Sequence, residues 1–196
     1  MKKTFQQNLS LALLTIIFMP SLVYAHTSVG HTAGFTYGLS HPLGGIDHIL
    51  AMLAVGIWAA QTGGRAVWSI PLTFVSIMIL GSVLGMFGVA LPFIEPGIVM
   101  SVLILGVLIS AAVSLPLGLS MAIVGLFAVF HGYAHGTEIP NALSGLNYSI
   151  GFVFATSLLH LSGIGASILF KKFDRPQLFR YAGGVITIAG IYLVFA

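Results

Sequence analysis

The sequence predicts an all-α, polytopic membrane protein: six transmembrane helices behind a cleaved signal peptide, with both ends of the mature chain outside. Three observations carry this expectation. Of 196 residues, 58% are hydrophobic and only 6% are charged, against about 25% charged in an ordinary soluble domain. The apolar residues fall in runs close to the ~20 that a helix needs to cross a bilayer. The few charges sort by side, as described below. A soluble enzyme of this length needs a polar skin that this composition cannot supply. A pI near 9.4 does not signal nucleic acid either, because the net charge is only +3 and the basic residues form no phosphate-binding cluster. Cys is absent and His numbers 7, so any metal chemistry here uses imidazole and carboxylate rather than thiolate.

The first element is an address. Lys2 and Lys3 precede an apolar run from Leu9 to Phe18, Pro20 ends it, and Val23-Tyr24-Ala25 supplies the small residues that a signal peptidase reads. Residues 1–25 are therefore expected to be removed, leaving a mature domain of residues 26–196 that starts at His26. A peptide of this form points to a bacterial inner membrane.

Six spans follow at about 43–61, 66–90, 96–114, 117–136, 143–170 and 178–196. Thr62-Gly63-Gly64-Arg65, Leu91-Pro92, Leu115-Pro116, Thr137 to Asn141 and Lys171 to Gln177 mark the connections, all too short to hide a soluble domain. With the N-terminus outside, the loops after spans one, three and five face the cytoplasm. They and their flanks hold Arg65, Lys171, Lys172, Arg175 and Arg180, while Glu95 and Glu138 fall in the outer loops. This is the positive-inside distribution. Gly81-x-x-x-Gly85 and Gly132-x-x-x-Gly136 have the spacing of close helix contact.

Against this apolar background the polar groups stand out. An Asp at the bilayer centre costs roughly 2.5–3.5 kcal/mol on insertion scales, so ionisable groups there tend to be functional. The first cluster is His41-Pro42-Leu43-Gly44-Gly45-Ile46-Asp47-His48. Pro42 suits a first helical turn, with His41 at the cap. At 100° per residue His48 and Met52 return to nearly the face of His41, and Asp47 either binds a cation or fixes a histidine tautomer. The second cluster is His131, His135 and Glu138, spaced i, i+4, i+7 on one stripe at the outer end of span four. His160 lies alone and deep in span five. The candidate metal ligands are therefore His41, Asp47, His48, His131, His135, Glu138 and His160. This donor set suits Ni, Co, Zn, Cu(II) or Fe(II) and disfavours Cu(I), Mg and Ca. His26 and His31 belong to the exposed mature end.

His41-Pro42-x-x-Gly45-x-Asp47-His48 with the following Ala51-Met52-Leu53-Ala54-Val55-Gly56 resembles the signature of the HupE/UreJ family of nickel/cobalt permeases. His131-Gly132-x-Ala134-His135-Gly136-x-Glu138 and Leu159-His160 are similar to further stretches of that family, and the likeness runs from about Ala25 to the C-terminus. Tyr133 stands where many relatives have another His. The resemblance implies uptake of Ni²⁺ or Co²⁺ across the inner membrane to supply metalloenzymes such as hydrogenase or urease, or cobalamin synthesis. The metal is then cargo, with no tightly bound cofactor and no enzymatic activity. The partners are a divalent transition-metal ion and the lipid bilayer, not nucleic acid, and the sequence leaves open a homo-oligomer. The rival from another class is an intramembrane zinc-dependent hydrolase using the same His/Asp set, with Asp47 as acid or base. A metal sensor without transport is a third reading, disfavoured by the lack of a soluble domain.

Overall fold

The computed structural model describes residues 31–139, 144–175 and 177–196. The expected signal peptide, residues 1–25, and His26 lie outside the described residues. Within them the chain is helical: α1 His31–Ser40, a 3-10 turn His41–Leu43, α2 Ile46–Thr62, α3 Ala66–Met86, α4 Ile94–Ser110, α5 Leu117–Thr137, α6 Gly145–Lys172 and α7 Gln177–Phe195. No strand occurs among the described residues.

Helices α2 to α7 lie in the six segments where spans were expected. Four of them, α3, α5, α6 and α7, are each long and apolar enough to cross a membrane. Residues Gly34–Leu43 and Ile46–Thr62 pass the same test only together, as one broken span bent by 81°. Helix α4 is apolar but has 17 residues. The outer faces carry Leu72, Ile150, Phe154, Ile168 and Ile188, all exposed, as a lipid-facing surface requires. Exposed aromatic residues gather at both ends of the bundle: Trp68, Phe173 and Tyr181 at one, Phe87, Phe93, Tyr192 and Phe195 at the other. That is the placement of membrane-interface belts. The chain is a multi-pass membrane protein.

Three helices end as Schellman motifs, in which a left-handed residue lets the next N–H reach back to a carbonyl in the last turn. Gly88 (φ 66°) ends α3, with the Val89 N–H donating to the Leu84 carbonyl. Ala112 (φ 55°) ends α4, and Asp174 (φ 50°) ends α6. Spans two and three therefore stop about a turn earlier than their hydropathy suggests. A non-glycine residue in this conformation costs roughly 1–2 kcal/mol, which the captured carbonyls offset. Helix α2 ends at Thr62, and Gly63 (φ 79°) and Gly64 (φ 54°) make the turn that feeds α3.

Helices α2, α4 and α6 run one way through the bundle, and α3, α5 and α7 return. Helix α3 lies along α5, α4 along α7, and α6 along both α1 and α2. Glycines set these distances. A Cβ on Gly132 would collide with the Met78 carbonyl and one on Gly136 with that of Ser82, while Gly81 and Gly85 press on Val129 and Tyr133 in return. The two small-residue motifs expected to mark helix contacts thus pack against each other. Close approach is a main source of helix association in lipid, where no hydrophobic force separates helix from tail.

The sequence reading left the residues before span one as an exposed end. Instead, residues 31–40 form α1, which packs alongside the start of α6: Gly34 meets Ser144 and Asn147, Gly38 abuts the Tyr148 backbone and Gly151 that of Phe35. The chain then bends at Gly45, an extended N-cap (φ −108°, ψ 123°). His41 and His48 therefore do not share one continuous helical face, as the 100° arithmetic assumed.

Charge separates along the bundle. Every Lys and Arg of the described residues (Arg65, Lys171, Lys172, Arg175, Arg180) belongs to the end where α2, α4 and α6 finish, together with Asp174, and the other three carboxylates, Asp47, Glu95 and Glu138, belong to the opposite end. At the basic end Lys171 donates to the Ala60 carbonyl at 2.6 Å and Arg180 to that of Ser110 at 3.1 Å. These cations satisfy helix C-terminal carbonyls.

Candidate metal centre

The acidic end holds the histidines. The 3-10 turn places His41 beside the C-terminus of α5, where Glu138 is the cap. The His41 Nε2–H donates to Glu138 Oε2 at 2.9 Å, and the same oxygen lies 3.4 Å from His135 Nδ1. Hydrogen bonds with His135 and His41 hold the Glu138 carboxyl well below the usual carboxylate range. One ligand atom each from His41, His135 and Glu138 can be chosen so that all lie within 4.8 Å of one another, close enough to converge on one cation.

Deeper in, the imidazoles continue. The His135 ring meets His41 edge-on at 4.9 Å between centroids and His48 at 4.3 Å. His48 also meets His131 at 4.9 Å, so it is wedged between two residues one turn apart on α5. The i, i+4 spacing puts His131 and His135 on one face, and the bend before α2 delivers His48 to it.

Hydrogen bonds fix which nitrogen is available. A carbonyl only accepts, so the bond from His131 Nδ1 to the Phe127 carbonyl at 3.0 Å places the proton on Nδ1. Asp47 Oδ1 accepts from the His48 backbone N–H at 2.8 Å and from its Nδ1–H at 3.1 Å. Asp47 thus orients His48 from behind, the second of its two expected roles. The Nε2 atoms of His48 and His131 are left buried without a partner. So is Nε2 of His135 and both ring nitrogens of His160. A buried polar atom without a partner is costly, and the free lone pair of a neutral imidazole is able to ligate a transition-metal ion.

The outer members are the more exposed, and His135 is already buried. The side chains of Glu138 and His41 are 50% and 24% exposed and that of His48 is 12%, whereas His131 is fully buried. The structure brings together His41, His48, His131, His135 and Glu138, with Asp47 behind His48. It does not bring His160 into contact with them: the ring of Phe74 lies against both His131 and His160. Met52 is packed in the core.

Sequence reasoning passed over the aromatic walls. Tyr37 stacks on His41 at 5.6 Å, Tyr148 meets it at 5.8 Å, and Phe152 covers His135 at 4.0 Å. Tyr148 is buried with its hydroxyl unpartnered. A buried phenol is notable in a packed core, but Tyr148 follows Asn147 at a helix start and has no sequence signal beyond that. A cavity of about 620 Å³ opens at the basic end among Gln61, Lys171, Asp174, Arg175 and Arg180. Three cations against one carboxylate make that lining net positive, unlike the histidine row.

Residues 13–193 match the family described as HupE / UreJ protein. The chain is 43% identical over 182 residues to "Protein HupE" of Rhizobium leguminosarum bv. viciae, covering 92% of this chain and 94% of that protein. No solved structure matches.

Proposed function

The chain belongs to the HupE/UreJ family, and on that premise we propose that it is an inner-membrane permease for Ni²⁺ or Co²⁺, supplying metalloenzyme or cobalamin synthesis. The observation that carries the reading is the set of buried, unpartnered imidazole nitrogens of His48, His131, His135 and His160, which lies behind the half-exposed Glu138. The histidine end faces the periplasm and the basic end the cytoplasm, in keeping with the positive-inside rule. Six spans, α2 to α7, then leave both termini of the mature chain outside.

Glu138 attracts the hydrated cation and, with His41 and His135, replaces part of its water. His48 and His131, one ring contact further in, take the ion next, and His160 receives it at depth. Borderline ions such as Ni²⁺ and Co²⁺ exchange water for imidazole readily, while Mg²⁺ and Ca²⁺ prefer oxygen. Neighbouring sites of similar strength allow an ion to enter and still leave. Movement draws on the ion or proton gradient, since the sequence contains no nucleotide-binding loop.

The test is accumulation of radioactive Ni²⁺ and Co²⁺ in cells expressing the full chain, against Zn²⁺ and Mn²⁺ as competitors. Saturable Ni²⁺ or Co²⁺ uptake supports the reading. Uptake equal to that of cells lacking the protein contradicts it, and hydrolysis of lipid or peptide by the purified protein would place the same residues in an enzyme instead.

A further inference from the structure

The row of imidazoles is interrupted once, by carbon. Phe74, on α3, is completely buried. Its ring meets His131 at 5.5 Å between centroids with an interplanar angle of 65°, and His160 at 5.2 Å with an angle of 87°. Both neighbours carry ring nitrogens without partners. Phe74 therefore separates two groups able to bind a cation and offers no lone pair itself.

The surroundings hold that ring in place. One turn along α3, Met78 accepts the Thr156 hydroxyl at 3.9 Å. Thr156 stands one turn before His160 on α6. The residues Phe74 and Met78 of one helix thus face His160 and Thr156 of the other. Met78 is in turn pressed by Gly132, the residue after His131. Residues of α3, α5 and α6 thus surround the phenyl ring, which touches the imidazoles on both sides.

We infer that Phe74 is the selectivity barrier of the permeation path, a ring that closes the route between His131 and His160. The inference rests on the permease reading above. A phenyl face attracts a cation by its quadrupole but cannot replace the water that a divalent ion sheds. An ion that keeps most of its hydration shell is too large to pass while the ring is in place. An ion bound through imidazole nitrogen has already shed water and is handed to His160 when the ring swings aside. The barrier thus favours Ni²⁺ and Co²⁺ over Mn²⁺ and Mg²⁺ by their readiness to exchange oxygen for nitrogen ligands.

The experiment uses the full chain in proteoliposomes, with Ni²⁺ and Mn²⁺ influx measured side by side and Ni²⁺ binding measured in detergent. Wild type is expected to take up Ni²⁺ in preference to Mn²⁺. Phe74→Ala is expected to bind Ni²⁺ within about twofold of wild type and to admit Mn²⁺, lowering the Ni²⁺/Mn²⁺ influx ratio by about tenfold. Phe74→Leu keeps the core filled and guards against a folding failure of the smaller variant. It is expected to lower the same ratio by about threefold, because a branched alkyl group covers less of the path. An unchanged ratio in a folded Phe74→Leu overturns the inference, as does parallel loss of Ni²⁺ binding and influx, which would make Phe74 a packing residue of the outer centre. No Ni²⁺ influx by wild type contradicts the permease reading itself, and the barrier falls with it.

Discussion

The Asp47 carboxylate holds the imidazole of His48 by its Nδ1–H and leaves the opposite nitrogen free, buried and facing two further histidines. Asp47→Asn keeps an acceptor oxygen but removes the charge that strengthens the bond and raises the basicity of the ring. Loss of such an orienting partner commonly lowers metal affinity about 10–100-fold. The expected result is a rise of that order in the Ni²⁺ dissociation constant, read by isothermal titration, with helix content unchanged by circular dichroism. Unchanged affinity would mean that Asp47 serves only as a helix N-terminal charge.

The histidine row also sets the pH response. Imidazole binds a metal only as the free base, so protons compete with the ion for these nitrogens. Uptake is therefore expected to fall as the outer pH is lowered from 8 towards 5. Glu138 does not cause this fall. Its carboxyl is held well below the usual range by His135 and His41, so it stays charged throughout that window. Glu138→Gln should weaken capture at neutral pH yet leave the acid limb in place, as measured by initial uptake rates between pH 5 and 8. Loss of the acid limb in this variant would transfer the pH dependence to the carboxylate.

Packing of α3 on α5 depends on the absence of a side chain at Gly132. Gly132→Ala places a methyl group against the Met78 carbonyl and should lower stability by about 1–3 kcal/mol. Gly165→Ala meets nothing within 4 Å and is expected to be neutral or stabilising by up to ~1 kcal/mol, as for a helical glycine with open space for a methyl group. Detergent-solubilised unfolding midpoints of the two variants should move apart. Equal midpoints would show that α3 can shift to accommodate the methyl group.

Much of this was legible in the sequence, and the remainder has physical reasons. Histidines and carboxylates are conspicuous in an apolar chain, so His41, Asp47, His48, His131, His135 and Glu138 could be singled out before their contacts were known. The i, i+4 spacing of His131 and His135 correctly placed both on one face. The helical phase between His41 and His48 failed because Gly45 is extended and the chain turns there; the two residues reach His135 from different elements. The end of α4 at Ala112 carried no signal, since an alanine in a left-handed cap looks like any other alanine; Gly88, inside an apolar run, was read through as part of span two, whereas Gly63 and Gly64 marked the end of span one. Helix α1 was missed because its ten residues are too short for a span, and only its contact with α6 shows it packed. Phe74 sits in an apolar run among Leu72, Val75 and Ile77, where nothing distinguishes a barrier from core.

Orientation can be read directly because the chain has no Cys. Val89→Cys, at the histidine end, is expected to react with a membrane-impermeant maleimide on intact spheroplasts. Lys172→Cys, at the basic end, should react only after permeabilisation. The reverse pattern would place the histidine row at the cytoplasmic face and turn uptake into export.

The most direct test is Ni²⁺ influx into proteoliposomes containing purified wild type or His135→Ala. His135 is the ring shared by the outer group of His41 and Glu138 and the inner group of His48. The account predicts time-dependent, saturable Ni²⁺ influx for wild type and at least about a tenfold loss for folded His135→Ala. Equal influx through both proteins would contradict the claim that the buried imidazoles carry the ion.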